Sequence, residues 1–347
     1  MESQDFLATD ANSRSYFNYS NDLLHSDDGP QTCLFDMLMA VLYLGVCVVG
    51  LAGNSLVIVT ILKLHKMETA TTVYIFNLAL ADGLFMVGMP FLALQNFRHS
   101  WIFGDFACKL VMILDGINQF TSVFCLTVMS IDRYMAVVNP IRFSKWRTPR
   151  RAKIISVFLW FFSLLPVLPM AVHFTAGGSL CSLEPPGSLD TWRLAFIIYT
   201  FTLGFALPFF VMSLCYASLV VNLKAGLVHF QNTETKLLEE KMTKMVVAVV
   251  LGFAICWLPF YVFNFYMLWH PGDFTPAMGK GFEFIVLLSY SWSCANPILY
   301  ACLSEKYRKH FHILLCPKKR SQSLHFDANT DGYDLNDLSG WEIMSVV

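Results

Sequence analysis

Asp115 is the only charged residue between Leu110 and Ile131. An ionised group deep in a bilayer costs about 2.5–3.5 kcal/mol on insertion scales, so a carboxylate kept inside an apolar run is a candidate for function. Asn118, Gln119 and Ser122 follow at i+3, i+4 and i+7, which puts all four on one side of a helix. A carboxylate with an amide one turn below is a ready partner for a ligand cation. The bland alternative is a cap or an interhelical pair, but no lysine or arginine lies inside a comparable apolar run to pair with it. Asp82 is a second intramembrane candidate, with Asn54, Asn118, Ser122, Ser293 and Asn296 as prospective neighbours. Hydroxyls and amides around a buried carboxylate suit a sodium ion or a proton, or a purely structural polar network. The third group is Asp132-Arg133-Tyr134, roughly 26 Å beyond Asp115 along the same helix. Charged sites near opposite mouths of one bundle suit a device that senses at one end and reports at the other.

Long apolar segments must position these groups. A bilayer core of roughly 30 Å needs about 20 apolar residues in a helix. Met37 to Leu62, Thr71 to Leu94, Leu110 to Ile131, Ile154 to Phe174, Leu194 to Val221, Met245 to Trp269 and Phe284 to Leu303 meet that length, and only Asp82 and Asp115 interrupt them with charge. Backbone groups in lipid must bond within their own segment, so all seven are expected to be helices. The fold class is therefore all-α, a bundle of seven transmembrane helices. Composition agrees, with 56% hydrophobic and only 14% charged residues, where an average soluble chain carries about 25% charged. This excludes a disordered chain and a disulfide-stapled mini-domain. A net charge of −1 gives no basic bias that would signal nucleic acid. Residues 1–36 form a tail, 37–303 the bundle, 304–316 a short amphipathic helix on the membrane surface and 317–347 a second tail. Pro90, Pro166, Pro169, Pro208, Pro259 and Pro297 fall within the spans, where packed neighbours can satisfy freed carbonyls and a kink can act as a hinge.

Of the 24 lysines and arginines, only Arg14, Arg98, Lys109, Arg193 and Lys280 fall on the N-terminal side of the membrane. The rest would face the cytoplasm, so the N-terminus is expected outside the cell. Met1 to Asp36 has no apolar core of the kind a cleavable signal needs, and the first span is expected to direct insertion itself. Asn18-Tyr19-Ser20 is an acceptor triplet for glycosylation at Asn18. Cys33, Cys108 and Cys181 lie on the oxidising side, and a Cys108–Cys181 bond would pin the loop before the fifth span over the bundle mouth. Cys316 follows the amphipathic stretch and suits palmitoylation.

One landmark per span then falls in order: Gly53-Asn54, Leu78-Ala79-Leu80-Ala81-Asp82, Asp132-Arg133-Tyr134, Trp160, Pro208, Cys256-Trp257-Leu258-Pro259 and Asn296-Pro297-Ile298-Leu299-Tyr300. Over roughly residues 37 to 316 the chain resembles the class A (rhodopsin-like) G-protein-coupled receptors. The runs Asp115 to Tyr134, Trp257 to Asn264 and Ser293 to Tyr300 are similar to those of somatostatin receptors, with opioid and galanin receptors as neighbouring groups. The resemblance implies a plasma-membrane receptor whose Asp115 and Gln119 take the lysine of a cyclic Trp-Lys type peptide. It places Gln95, Phe260, Asn264, Phe282 and Tyr290 in the pocket, and Phe263 beside them. It implies that Phe253, Trp257, Pro259, Asn296, Pro297 and Tyr300 act in switching, and that Asp132, Arg133, Tyr134 and Tyr216 meet an inhibitory Gi/o protein that lowers cAMP. It also implies the Cys108–Cys181 disulfide, an allosteric sodium ion at Asp82, Asn118 and Ser122, and binding of arrestin and receptor kinases.

Trp292 departs from the family pattern, standing where a small amide normally lines the sodium pocket. An indole is larger and has a single donor, so it is expected to fill that pocket and weaken sodium binding. Ser345-Val346-Val347 at the C-terminus fits a ligand for a PDZ domain. An amine receptor would normally carry serines where Thr200, Phe201 and Gly204 stand, and a retinal protein would need a lysine between Phe282 and Leu303. A transporter or channel would usually show two similar halves, and no internal repeat is visible. An enzyme is disfavoured because no metal-spaced His/Cys cluster, phosphate-cradling glycine loop or nucleophile elbow occurs.

Overall fold

The computed structural model describes residues 30–65, 67–138, 140–143, 145–176, 180–183, 189–224, 233–270, 275–303, 308–309 and 311–312. Seven long helices carry the chain. They are α1 (Pro30–Thr60), α2 (Ala70–Arg98), α3 (Gly104–Val138), α4 (Pro149–His173), α5 (Leu189–Lys224), α6 (Thr233–Trp269) and α7 (Pro276–Leu303). Helix α1 begins at Pro30, ahead of the apolar run at Met37, so Cys33 and Asp36 are helical. Among the described residues, α1 to α6 are long and apolar enough to cross a membrane. Helix α7 carries Ser289, Ser293 and Asn296 as buried polar side chains, which places part of its polar content against other helices.

Start signals are readable locally. Thr69 accepts from the backbone N–H of Thr72 to cap α2, and Thr148 does the same from Arg151 for α4, each satisfying an orphan donor of the first turn. Helix α5 contains a π turn at Thr202–Ala206, where the N–H of Leu207 reaches back to the Thr202 carbonyl. Pro208 follows at once. A proline cannot donate to the carbonyl four residues back, and one wider turn absorbs the lost bond without breaking the helix.

Helices α1 to α7 close a ring, with α7 packed along both α6 and α1, while α3 runs through the middle against α2, α4, α5 and α6. The interior is continuous from Val57 and Leu78 through Leu126 to Phe253 and Trp257. The outward faces stay apolar, as at Val48 of α1 and at Val157, Phe158, Phe161 and Leu168 of α4. Contiguous apolar surface of that extent suits hydrocarbon rather than water. At one end a two-stranded hairpin, β1 (Phe174–Thr175) and β2 (Ser182–Leu183), lies across the mouth. The Cys108–Cys181 disulfide joins it to the first turn of α3. At the other end Phe311 is buried while Arg308, Lys309 and His312 are exposed, the two-faced pattern expected after the seventh span.

Helices α2 and α4 are joined through Asn77. Its Nδ2 donates to the Val73 carbonyl and, at 3.0 Å, to Ser156, and Trp160 Nε1 donates to its Oδ1 at 2.8 Å. Asn77→Ala removes both interhelical bonds, expected to cost about 1–2 kcal/mol. A thermal melt of the purified protein followed by thiol-reactive dye should fall by a few degrees, roughly 2–4 °C per kcal/mol.

Candidate functional site

Helix α3 turns Asp115 toward α7, where the Tyr290 hydroxyl donates to its Oδ2 at 3.4 Å. The Tyr290 ring is set by Phe85 edge-on at 4.8 Å and by Tyr43 at 6.3 Å. Lys109 pairs with Asp105, Arg133 and Arg147 pair with Asp132, and His99 bonds Asp36; none of these pairs involves Asp115. The helix-three carboxylate is thus held by one long neutral hydrogen bond and retains capacity for a cation.

Gln119, one turn below, has a partner that the sequence did not indicate. Its Nε2 donates to the Tyr261 hydroxyl at 2.7 Å, and that hydroxyl donates to the Thr200 carbonyl at 3.1 Å. Helices α3, α6 and α5 are therefore braced by one chain of bonds under the pocket floor. The π turn of α5 makes room for it: a Cβ at Gly204 would stand 3.1 Å from the Tyr261 hydroxyl and 3.2 Å from Gln119 Nε2. Sequence reasoning missed Tyr261. The available signal was a tyrosine inside an apolar helix, since a buried hydroxyl needs a partner.

The expected pocket walls fall in two groups. Gln95 does not join Asp115 through a hydrogen bond; its Oε1 accepts the backbone N–H of Cys181 at 3.0 Å and so ties α2 to the disulfide loop. Phe282 of α7 stacks on Phe263 at 4.6 Å and on Phe260 at 5.9 Å, giving an aromatic wall between α6 and α7. Asn264 donates Nδ2 to the Phe260 carbonyl, which directs its amide within that wall.

Below lies the second carboxylate. Asp82 is fully buried and accepts from Asn296 Nδ2 at 3.0 Å and from the Ser122 hydroxyl at 3.3 Å. The Ser122 proton is shared with Asn118 Oδ1 at 3.2 Å, and Asn118 Nδ2 donates to Ser293. Asn54 donates to the Gly50 and Ser293 carbonyls. The Oδ1 atoms of Asn54 and Asn296 are buried without a hydrogen-bond partner among the described residues. A carboxylate with spare amide oxygens is an oxygen donor set of the kind a hard cation takes, so these residues fit sodium. Trp292 does not interrupt the bonds of Asp82; its ring packs on Gly252 and Phe253 of α6. Phe253 and Trp257, the expected switch residues, stand 6.3 Å apart in the same layer.

At the far end Asp132 is buried and clamped. Arg147 donates Nε at 3.0 Å and Nη2 at 3.2 Å, and Thr71 donates at 3.3 Å. Arg133 donates to Asp132 at 3.4 Å and to Thr71. Arg147 was not singled out from the sequence; its two-pronged hold is typical of guanidinium on carboxylate. Tyr216 donates to Ser130 at 3.1 Å. Tyr134 is half-buried beside this group. Pro259 and Pro297 sit within α6 and α7. The Tyr300 side chain, Asn18, Cys316 and the C-terminal tail lie outside the described residues.

The profile of the 7 transmembrane receptor (rhodopsin family) matches residues 53–300. The chain belongs to the rhodopsin family of seven-transmembrane receptors. Members are receptors of the plasma membrane that cross it many times, not enzymes. The receptor is 48% identical over 289 residues to somatostatin receptor type 2 of Mus musculus, covering 82% of this chain and 78% of that one. It is 50% identical over 293 residues to somatostatin receptor type 5 of Bos taurus, covering 84% and 79%. Over 293 residues it is 47% identical to somatostatin receptor type 3 of Homo sapiens, covering 83% and 70%.

Tyr261→Phe would leave Gln119 Nε2 and the Thr200 carbonyl without this partner, a loss of about 1 kcal/mol. Amide exchange across Thr202–Ala206 of the receptor should accelerate several-fold, while that of α4 stays unchanged.

Proposed function

We propose that this receptor binds a cationic cyclic peptide of the somatostatin type from outside the cell and activates an inhibitory Gi/o protein, lowering cAMP. The observation that carries the reading is Asp115, a membrane-embedded carboxylate with no ion-pair partner among the described residues. The ligand ammonium would displace the long Tyr290 contact and bond Asp115, with the Gln119 oxygen as second acceptor. Apolar ligand side chains would meet Phe260, Phe263 and Phe282. A desolvated ion pair is strong only when its remaining bonds are satisfied, which is the part played by Gln119.

Because Gln119 is bonded to Tyr261, and Tyr261 to Thr200, a ligand that draws Gln119 pulls on α6 and α5 together. Helix α6 then swings at Pro259 beneath Trp257. At the inner end the movement separates Arg133 from Asp132 and Thr71 and frees it, with Tyr134, Tyr216 and Tyr300, for the G protein. The ligand must prefer the active bundle over the resting one for anything to be transmitted. A sodium ion at Asp82, Asn118 and Ser122, with the amide oxygens of Asn296 and Asn54 as further donors, would favour the resting bundle. The N-terminus faces outward with Asn18 glycosylated, and Cys316 is palmitoylated within the inner leaflet. Phosphorylation of Ser321, Ser323, Thr330 and Ser339 by receptor kinases recruits arrestin, and the C-terminal Val347 suits a PDZ protein.

Somatostatin-like and opioid-like peptides applied to cells carrying the receptor distinguish the two ligand classes by cAMP inhibition. The somatostatin-like peptide is expected to act, and Asp115→Asn is expected to abolish its effect with surface expression retained. Full potency in Asp115→Asn would discard the ligand role. Raising sodium from about 10 to 150 mM should lower agonist affinity in the wild type, and Asp82→Asn should remove that dependence.

A further inference from the structure

Helix α6 leaves a notch at Gly252, and the Trp292 indole of α7 fills it. A Cβ at Gly252 would lie 2.5 Å from Cζ3 of the indole, 3.3 Å from Cη2 and 3.5 Å from Cε3. The first distance is far inside carbon–carbon contact, so even a methyl group forces the ring or the helix to move. Trp292 is 3% exposed. Its ring meets Phe253 at 6.1 Å and 70°, and Phe253 in turn stacks on Phe205 of α5 at 5.6 Å and lies 6.3 Å from Trp257. The indole Nε1 has no hydrogen-bond partner among the described residues. Polar bonding therefore does not set the ring; fit against α6 does.

We propose that Trp292 and Gly252 form a steric interlock that holds α6 against α7 in the resting receptor and must disengage before α6 can swing. This rests on the reading that the signal leaves through movement of α6. Packed interiors do not deform continuously, so a rigid bicyclic ring in a backbone notch offers two arrangements, seated or withdrawn. The notch lies beside Phe253 and two turns inward of Pro259, where an outward swing of α6 carries Gly252 away from α7. Because only packing secures the ring, its release costs lost contacts rather than a broken hydrogen bond. The interlock also accounts for a bulky residue beside the Asp82 cluster that leaves the bonds of Asp82 intact.

The test reads α6 directly, without ligand or G protein. Full-length receptor in lipid nanodiscs is followed by hydrogen–deuterium exchange across Val249–Trp257, with α2 and α4 as internal references. Gly252→Ala is expected to speed α6 exchange by about fivefold or more while the references stay within about twofold. Combining it with Trp292→Phe, a smaller ring, should return α6 to within about twofold of wild type. Wild-type exchange in Gly252→Ala, or acceleration that the smaller ring does not relieve, overturns the interlock. Should Gly252→Ala not fold, Trp292→Ala carries the test: acceleration confined to α6 supports the proposal, and equal acceleration of α2 and α4 overturns it. Ligand-independent nucleotide exchange on the G protein is measured on the same variants. If α6 loosens while that rate stays fixed, the signalling route is at fault and the interlock stands.

Discussion

A half-buried carboxylate among apolar helices, with no ion-pair partner among the described residues, is the constraint around which the upper half of the bundle is arranged. Asp115 makes one long hydrogen bond to Tyr290. Taking a charge out of water is costly, and a single neutral donor repays little of that cost. The site is therefore poised to gain from an incoming cation, and the surrounding helices are organised so that such a gain is felt elsewhere. Tyr290 belongs to α7, while Gln119 is committed to Tyr261 of α6 and through it to α5. The carboxylate is thus bonded to α7, and the glutamine one turn below it to α6 and through that to α5.

The opposite end is built on the reverse logic. Asp132 is over-satisfied, by Arg147 through two nitrogens, by Thr71 and by Arg133. An under-bonded anion above and a fully bonded anion below, on one rigid α3, give a resting state in which the upper site seeks a partner and the lower site holds its own. Between them run the aromatic layer of Phe205, Phe253 and Trp257 and the polar cluster at Asp82.

Much of this was legible in the chain. Seven apolar runs and lone intramembrane charges gave the bundle, and the i+3, i+4, i+7 spacing after Asp115 gave the inward side of α3. Asn296 and Ser122 were named as neighbours of Asp82 and do bond it. What stayed hidden depends on contacts between distant helices. Nothing in the chain pairs the Gln119 amide with a tyrosine 142 positions away, which takes it. Gln95 was expected in the pocket, and it holds the Cys181 backbone. Nothing in the chain pairs the Trp292 ring with a glycine on α6, against which it packs. In each case residue type was informative and the partner was not legible, because side-chain direction on a helix follows rotamer and neighbour rather than spacing alone.

The measurement that bears most directly on the account is a double-mutant cycle between Asp115 and the basic residue of the ligand. Binding of a somatostatin-like peptide and of its norleucine-for-lysine analogue is measured on wild type and on Asp115→Asn. A direct contact predicts coupling on the order of 1.5–3 kcal/mol between the two changes. Additive losses, within about 0.5 kcal/mol, would mean the carboxylate and the cation do not meet.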